Sequence, residues 1–294
     1  MTAELFAIIA PVFLIAGIGF GWGRLKLPFD TKTVTGVATT IATPALILST
    51  LSGLNVTPAA FGEMLLATVL TLVGFAAVGL VVLKVTRMSV RAFLTPVMMS
   101  NAGNMGLPLC LFAFGQEGLS LGIAGFAVIA GYHFTFGIAT VSGRWSFTAI
   151  AKTPVVWASL IGAGMLVLGE PLPGWLDNTL QVLGGLAIPL MLIALGVSLA
   201  SLEVRSLKDG TIVAVLRLVA GVGIGIAVAE LMGLEGAARG VVIIQSAMPV
   251  AVFNYLFAAT YDQRPGAVAG SVLISTAVSF LTLPFLLLLA LGRF

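Results

Sequence analysis

The sequence predicts an all-α integral membrane protein of ten transmembrane helices, built as two five-helix repeats of opposite topology with two crossed, interrupted helices. Three observations predict it. Hydrophobic residues fill 59% of 294 positions and charged residues only 9%, where a soluble chain carries about a quarter as Asp, Glu, Lys or Arg; mean hydropathy is +1.15. Ten apolar runs are long enough to cross a hydrocarbon core about 30 Å thick, which takes about 20 residues. Two of them, the fourth and the ninth, are broken by proline, glycine and amide residues at matching places.

The first span, near 5–23, follows directly on Met1 to Glu4 with no basic stretch before it, so it reads as a permanent helix rather than a cleavable leader. The second, 33–53, carries Pro44 in Ile-Ala-Thr-Pro-Ala-Leu-Ile-Leu, and the third, 61–85, is continuous. The fourth, 90–114, contains the run from Ser100 to Pro108; the fifth, 118–141, holds the single histidine in Gly131-Tyr132-His133-Phe134. The sixth, 153–170, is reached by a short linker from Ser142 to Thr153, and the seventh, 176–200, carries Pro189 in Ala-Ile-Pro-Leu-Met-Leu-Ile. The eighth, 210–232, contains Arg217; the ninth, 236–260, contains Gln245 to Asn254; the tenth is 265–291. The glycines at 17, 19, 21 and 23 and at 221, 223 and 225 superficially match nucleotide-binding loops. Neither run follows a strand or opens a soluble helix, and small residues at such spacing let membrane helices approach closely. Trp22, Trp145, Trp157 and Trp175 fall near span ends, the ordinary place of interfacial anchors.

Charge sets the orientation. The net charge of +3 does not indicate a nucleic-acid partner, because the basic residues are scattered singly in short connectors. Eleven of the fourteen lie in the odd connectors: Arg24, Lys26, Lys32, Lys84, Arg87, Arg91, Arg144, Lys152, Arg205, Lys208 and Arg264. Arg239 and Arg293 lie on the other side and Arg217 within a span. The positive-inside rule makes the odd connectors cytoplasmic and both termini external. The lone Cys110 excludes a disulfide framework or a multi-cysteine metal site within the chain.

Residues 1–146 form the expected first repeat and 147–294 the second. Pro44 and Pro189 are 145 positions apart, and the same step carries Asn101 to Ser246. Five spans being an odd number, the second copy enters the membrane inverted. Paired, interrupted spans at matching places of inverted repeats point to the central site of a secondary transporter. Proline removes a backbone donor and glycine weakens a helix, and in lipid the freed groups must be buried in protein or face a water-filled cavity. Two half-helix N-termini meeting at such a crossing, each carrying about half a positive charge, favour an anion. Asn101, Asn104, Gln245, Ser246 and Asn254 supply hydrogen bonding there, and neither interrupted segment holds a charged residue. The candidate substrate-binding set is Asn101, Asn104, Met105, Gly106, Pro108, Gln245, Ser246, Pro249 and Asn254, with His133 added; His133 is read two ways, as a buried group able to relay a proton or meet a carboxylate and as a satisfied structural histidine. Arg217 is read two ways, as a partner for a carboxylate substrate or as a snorkelling side chain near the cytoplasmic end. No metal or cofactor is expected.

At these residues the chain resembles the auxin efflux carrier family, whose bacterial members include organic-acid permeases. The resemblance covers essentially the whole chain and is sharpest at Asn101-x-x-x-Met105-Gly106-x-Pro108-Leu109 and at Met248-Pro249 followed by Phe257-Ala258 and Tyr261, with Pro44 also in place. In plant members a proline stands near position 254, where this chain has Asn254, and the long cytoplasmic loop of many plant carriers is absent. The resemblance implies a fold like that of the bile acid symporters and sodium/proton antiporters. Spans 1, 2, 6 and 7 would be the scaffold, which usually dimerises, and spans 3 to 5 and 8 to 10 a transport domain moving as an elevator. It also implies a multi-pass protein of the bacterial inner membrane, carrying small carboxylates such as malonate, malate or auxin-like acids.

Other functions fit less well. A cation/proton antiporter wants midplane carboxylates, which both broken segments lack. An intramembrane hydrolase needs a Ser/His pair or two intramembrane aspartates, and the aspartates fall in connectors or at span edges. No Gly-Lys-Ser/Thr supports an ATP-driven pump. A channel stays open as an alternative, as does coupling to sodium through unwound carbonyls and Gln245, to protons through His133, or to neither.

Overall fold

The computed structural model describes residues 2–53, 56–145, 153–202 and 206–293. Lys152 and Arg205, used above for orientation, and the boundary at 146 and 147 between the expected repeats lie outside the described residues. Among the described residues every regular element is helical, and the one β-type contact is an isolated bridge between Ser100 and Val250. In chain order the helices are α1 (Thr2–Arg24), α2 (Thr31–Ser52), α3 (Pro58–Val85), α4 (Val90–Met98), α5 (Ala102–Ser142), α6 (Pro154–Leu168), α7 (Gly174–Ser201), α8 (Leu207–Leu231), α9 (Gly236–Ala247), α10 (Phe253–Thr260) and α11 (Pro265–Ala290).

Seven of these, α1, α2, α3, α5, α7, α8 and α11, are long and apolar enough to cross a membrane. Large apolar side chains such as Leu231 and Leu281 stand 77% and 76% exposed, a surface that water would not tolerate and lipid solvates. The ten expected spans are not ten continuous helices. Span nine is split into α9 and α10, span six is the 15-residue α6, and the second limb of span four runs into span five as the 41-residue α5. Straight, α5 would reach about 60 Å, twice the hydrocarbon thickness. It bends at Gly115, whose φ of 63° and ψ of −150° belong to a region essentially reserved for glycine.

The prolines do not stop their helices; the backbone widens or breaks just ahead of them. A π-turn at Ala38–Ala42 precedes Thr43-Pro44, and another at Ala102–Gly106 precedes Leu107-Pro108. A proline ring clashes with the carbonyl four residues back and offers it no donor, and a π-turn displaces that carbonyl. In α7 the same strain is met by a break at Gly185 and Leu186, with Pro189 in the first turn of the renewed helix.

Without a strong hydrophobic force between helices in lipid, close packing of small residues holds them together. A Cβ on Gly19 of α1 would run into the Ile193 backbone of α7, and one on Gly196 of α7 into the Ala16 backbone. Gly221 and Gly225 of α8 meet the end of α9 in the same way at Ser246 and Ile243. The helices α1, α2, α6 and α7 pack chiefly on one another, and α8 packs on α9, α11 and α3.

Candidate functional site

α4 ends at Met98, the chain runs non-helically through Met99 to Asn101, and helix resumes as α5. α9 ends at Ala247, the chain is extended at Met248, and helix resumes as α10. The two unwound stretches lie antiparallel and satisfy each other's backbone: the Asn101 N–H donates to the Pro249 carbonyl at 2.8 Å, and the Ala251 N–H to the Met99 carbonyl at 3.1 Å. The Val250 N–H donates to Ser275 Oγ of α11 at 3.0 Å. Backbone freed in an apolar interior needs such partners. The two reciprocal bonds relate Asn101 to Ala251 and Met99 to Pro249, each pair 150 positions apart. The step of 145 read from Pro44 and Pro189 therefore does not hold at the crossing. In the bonding pattern Asn101 has the part that Ala251, not Ser246, has in the other stretch, because the spacing between the prolines and the crossings differs between the two halves.

Where α5 and α10 begin, a cavity of about 240 Å³ opens. All three π-turns of the described residues contribute to its wall: Thr39 and Thr40 from Ala38–Ala42, Gly103 and Asn104 from Ala102–Gly106, His133 and Phe134 from His133–Gly137. π-turns are rare and concentrate at functional sites. Ser100, Asn101, Ala251 and Phe253 complete the crossing side of the wall, and Phe126 gives it an apolar flank. At Gly103 an added Cβ would stand 2.8 Å from the Phe126 ring, so glycine admits that ring. Among the described residues no Asp, Glu, Lys or Arg lines the cavity.

Of the residues expected to bind substrate, the cavity brings together Asn101, Asn104 and His133. Asn101 Nδ2 and His133 Nε2 are buried without a hydrogen-bond partner, an unmet capacity that costs stability unless something uses it. Asn254 is not on the wall. Its Nδ2 donates to the Ala251 carbonyl at 3.0 Å and the Met99 carbonyl at 3.3 Å, bracing the crossing. Its side chain lies within polar reach of the His133 ring, and Phe257 packs edge-on to that ring with centroids 4.9 Å apart. Gln245 lies behind the crossing, where its Nε2 donates to the Gly122 carbonyl of α5 at 2.7 Å. Met105, Gly106 and Pro108 are buried in the first turns of α5, Ser246 is buried at the end of α9, and Pro249 supplies a carbonyl to Asn101. None of these five lines the cavity. The sequence reading missed Thr39, Thr40 and Thr43 of α2 and Met191 of α7, which form the opposite wall. The visible signal was the hydroxyl run Thr39-Thr40 and Thr43 just ahead of Pro44.

Arg217 neither snorkels nor lines the cavity. It is 1% exposed, donates from Nη2 to the Ser246 carbonyl at 2.8 Å and from Nη1 to the Val97 carbonyl at 3.3 Å, and lies 4.0 Å over the Phe75 ring. A charge absent from both broken segments thus reaches the crossing from α8.

A family model described as membrane transport protein matches residues 140–287, just over half of the chain. The chain belongs to this family of membrane transport proteins, the auxin efflux carriers. The matched stretch holds α9 and α10 but not the α4 limb. The chain is also 25% identical over 201 residues to an uncharacterized transporter of Methanocaldococcus jannaschii, covering 63% of this chain and 64% of the relative. To an uncharacterized transporter of Methanothermobacter thermautotrophicus it is 28% identical over 192 residues, 63% of each chain. The similarity thus spans a little under two thirds of these relatives' own lengths. The chain is a multi-pass membrane protein of a transport family.

Proposed function

We propose that this carrier is a secondary transporter of small organic anions, carboxylates of the size of malonate, malate or an auxin-like acid, working by elevator-type alternating access. The observation that carries this reading is the cavity at the start of α5 and α10. Among the described residues its wall has no charged side chain, two helix N-termini converge on it, and Asn101 Nδ2 and His133 Nε2 stand unpartnered at its edge. Two N-terminal poles of about half a charge each can offset one carboxylate without a resident cation. In this reading Asn101 holds the carboxylate, Asn104 and His133 take its remaining oxygens or its second polar group, and Phe126 and Phe253 cover its carbon skeleton.

The architecture behind the proposal is ten crossings as five plus five, with the α4/α5 and α9/α10 limbs as spans four and nine and the Gly115 bend as the turn between spans four and five. The mutual packing of α1, α2, α6 and α7 supports these helices as the scaffold, which would form a homodimer in the bacterial inner membrane with both termini outside. The cavity lies between that group, through Thr39, Thr40, Thr43 and Met191, and the crossing, as a site carried by one body against the other would.

The test is a thermal-shift screen of malonate, malate and lactate on purified protein, with and without sodium, followed by flux of the best binder into proteoliposomes. Asn101→Ala is expected to abolish flux while leaving the melting temperature within a few degrees of wild type. Unchanged flux would remove Asn101 from the site.

A further inference from the structure

Val97 and Ser246 lie in the last turns of α4 and α9. Helix C-termini carry unsatisfied carbonyls and about half a negative charge each. Arg217 donates to one carbonyl at each end, and among the described residues no carboxylate pairs with it. Two half-charges and one guanidinium sum to about zero, which is how a full charge is held in an apolar interior without an acid. The arrangement is built: Gly221 and Gly225, one and two turns along the same face of α8, let the α9 end come close enough for the Ser246 carbonyl to reach Arg217. Phe75 covers the guanidinium plane, and the pocket beside it, bordered by Thr68, Thr71 and Gln245, holds only about 10 Å³, room for one water-sized group.

We propose that Arg217 is a positioning residue that sets the charge preference of the site. By neutralising the C-terminal poles of α4 and α9 it leaves the N-terminal poles of α5 and α10 as the only uncompensated ones at the crossing, and these attract an anion to the cavity. Without the guanidinium the four poles cancel, and the vacated carbonyls take a soluble cation instead. This rests on the reading of the protein as an anion carrier.

The experiment uses the full chain in proteoliposomes and in detergent, with malonate as the transported probe. Arg217→Gln is expected to raise the malonate KM by at least about tenfold, with Arg217→Lys recovering most of it. In detergent, Arg217→Ala is expected to gain thermal stability from millimolar guanidinium or sodium, while wild type melts at the same temperature in sodium, choline or guanidinium at those concentrations. A role in folding alone would not create a cation response. A folded Arg217→Gln with wild-type malonate KM would overturn the proposal, as would an Arg217→Ala protein indifferent to both cations. If no variant folds, a wild-type melting temperature that rises with sodium over choline overturns it, since the carbonyls would then not be saturated by Arg217. Should wild type carry neither malonate nor any other acid, the transport reading fails. The guanidinium response of Arg217→Ala still reports whether Arg217 fills that seat.

Discussion

On one face of the crossing, α4 and α9 end on carbonyls that Arg217 holds, under Phe75 and beside a pocket of about 10 Å³. On the other, α5 and α10 begin beside a cavity of about 240 Å³ that, among the described residues, has no charged side chain on its wall and two buried nitrogens unpartnered at its edge. The first face is finished at its poles, which a residue of the chain meets, although Arg217 Nε itself is left without a partner. The second has poles and polar atoms without a hydrogen-bond partner among the described residues, with Asn254 the side chain in polar reach of the His133 ring. Unmet capacity in a space of molecular size is where a ligand would contribute most, so the contrast separates the part of the crossing that holds shape from the part proposed to bind.

The largest effect is expected from breaking the finished face. Gly221→Leu would drive a side chain into the Ser246 and Ala247 backbone, and overpacking against backbone that cannot yield costs about 3 kcal/mol or more. Little monodisperse protein should survive size-exclusion chromatography, and a well-folded Gly221→Leu carrier would show that the α8–α9 approach is not tight. On the open face, Asn101→Asp places a negative charge at the cavity. Anion flux should fall by at least about tenfold through like-charge repulsion, while the melting temperature moves far less than in the Gly221 variant. Outside both faces, Gly115→Ala forces a side chain into a glycine-only conformation, at a cost of about 1–3 kcal/mol, to be read as a lowered melting temperature. Thr39→Val removes a hydroxyl from the far wall of the cavity. It should raise the KM a fewfold, as expected for one lost hydrogen bond of about 1 kcal/mol, with stability unchanged.

The smallest effect lies furthest from the crossing. The Asp30 carboxylate caps α2, accepting from the Lys32 N–H at 3.1 Å. Its hydrogen bonds with Thr33 hold its pKa below the ordinary carboxylate value. A lowered folded-state pKa contributes stability that is present above the unfolded value and is lost as pH falls through the folded one. Asp30→Ala should therefore melt slightly below wild type at pH 7, with the gap closing in acid. A gap that persists at low pH would assign the effect to something other than the charge.

Much of the fold was legible because hydropathy is a local property. The run 61–85 became Pro58–Val85, 210–232 became Leu207–Leu231 and 265–291 became Pro265–Ala290. The breaks at Ser100 to Pro108 and Gln245 to Asn254 were legible for the same reason, since proline and glycine act on their own turn. Register was not. Asn101 was matched to Ser246 by a near-constant step, whereas in the reciprocal bonds its counterpart is Ala251, and nothing local reports how long each intervening connection is. Nor could position in a span tell whether Arg217 would turn to lipid headgroups, to a ligand or to two helix ends 149 positions apart in the chain.

The sequence by itself determined that this is a multi-pass α-helical membrane protein with two interrupted segments, because 59% hydrophobic and 9% charged residues leave no other solvent for it. It also determined that those segments carry no charge of their own. Only the tertiary structure decided which amides face a cavity and which brace the backbone, and that the crossing has a charge after all, delivered from α8. The physical reason is that composition and periodicity act within one helix, whereas the field at a crossing is the sum of four helix ends and one guanidinium that come together only when the chain is folded.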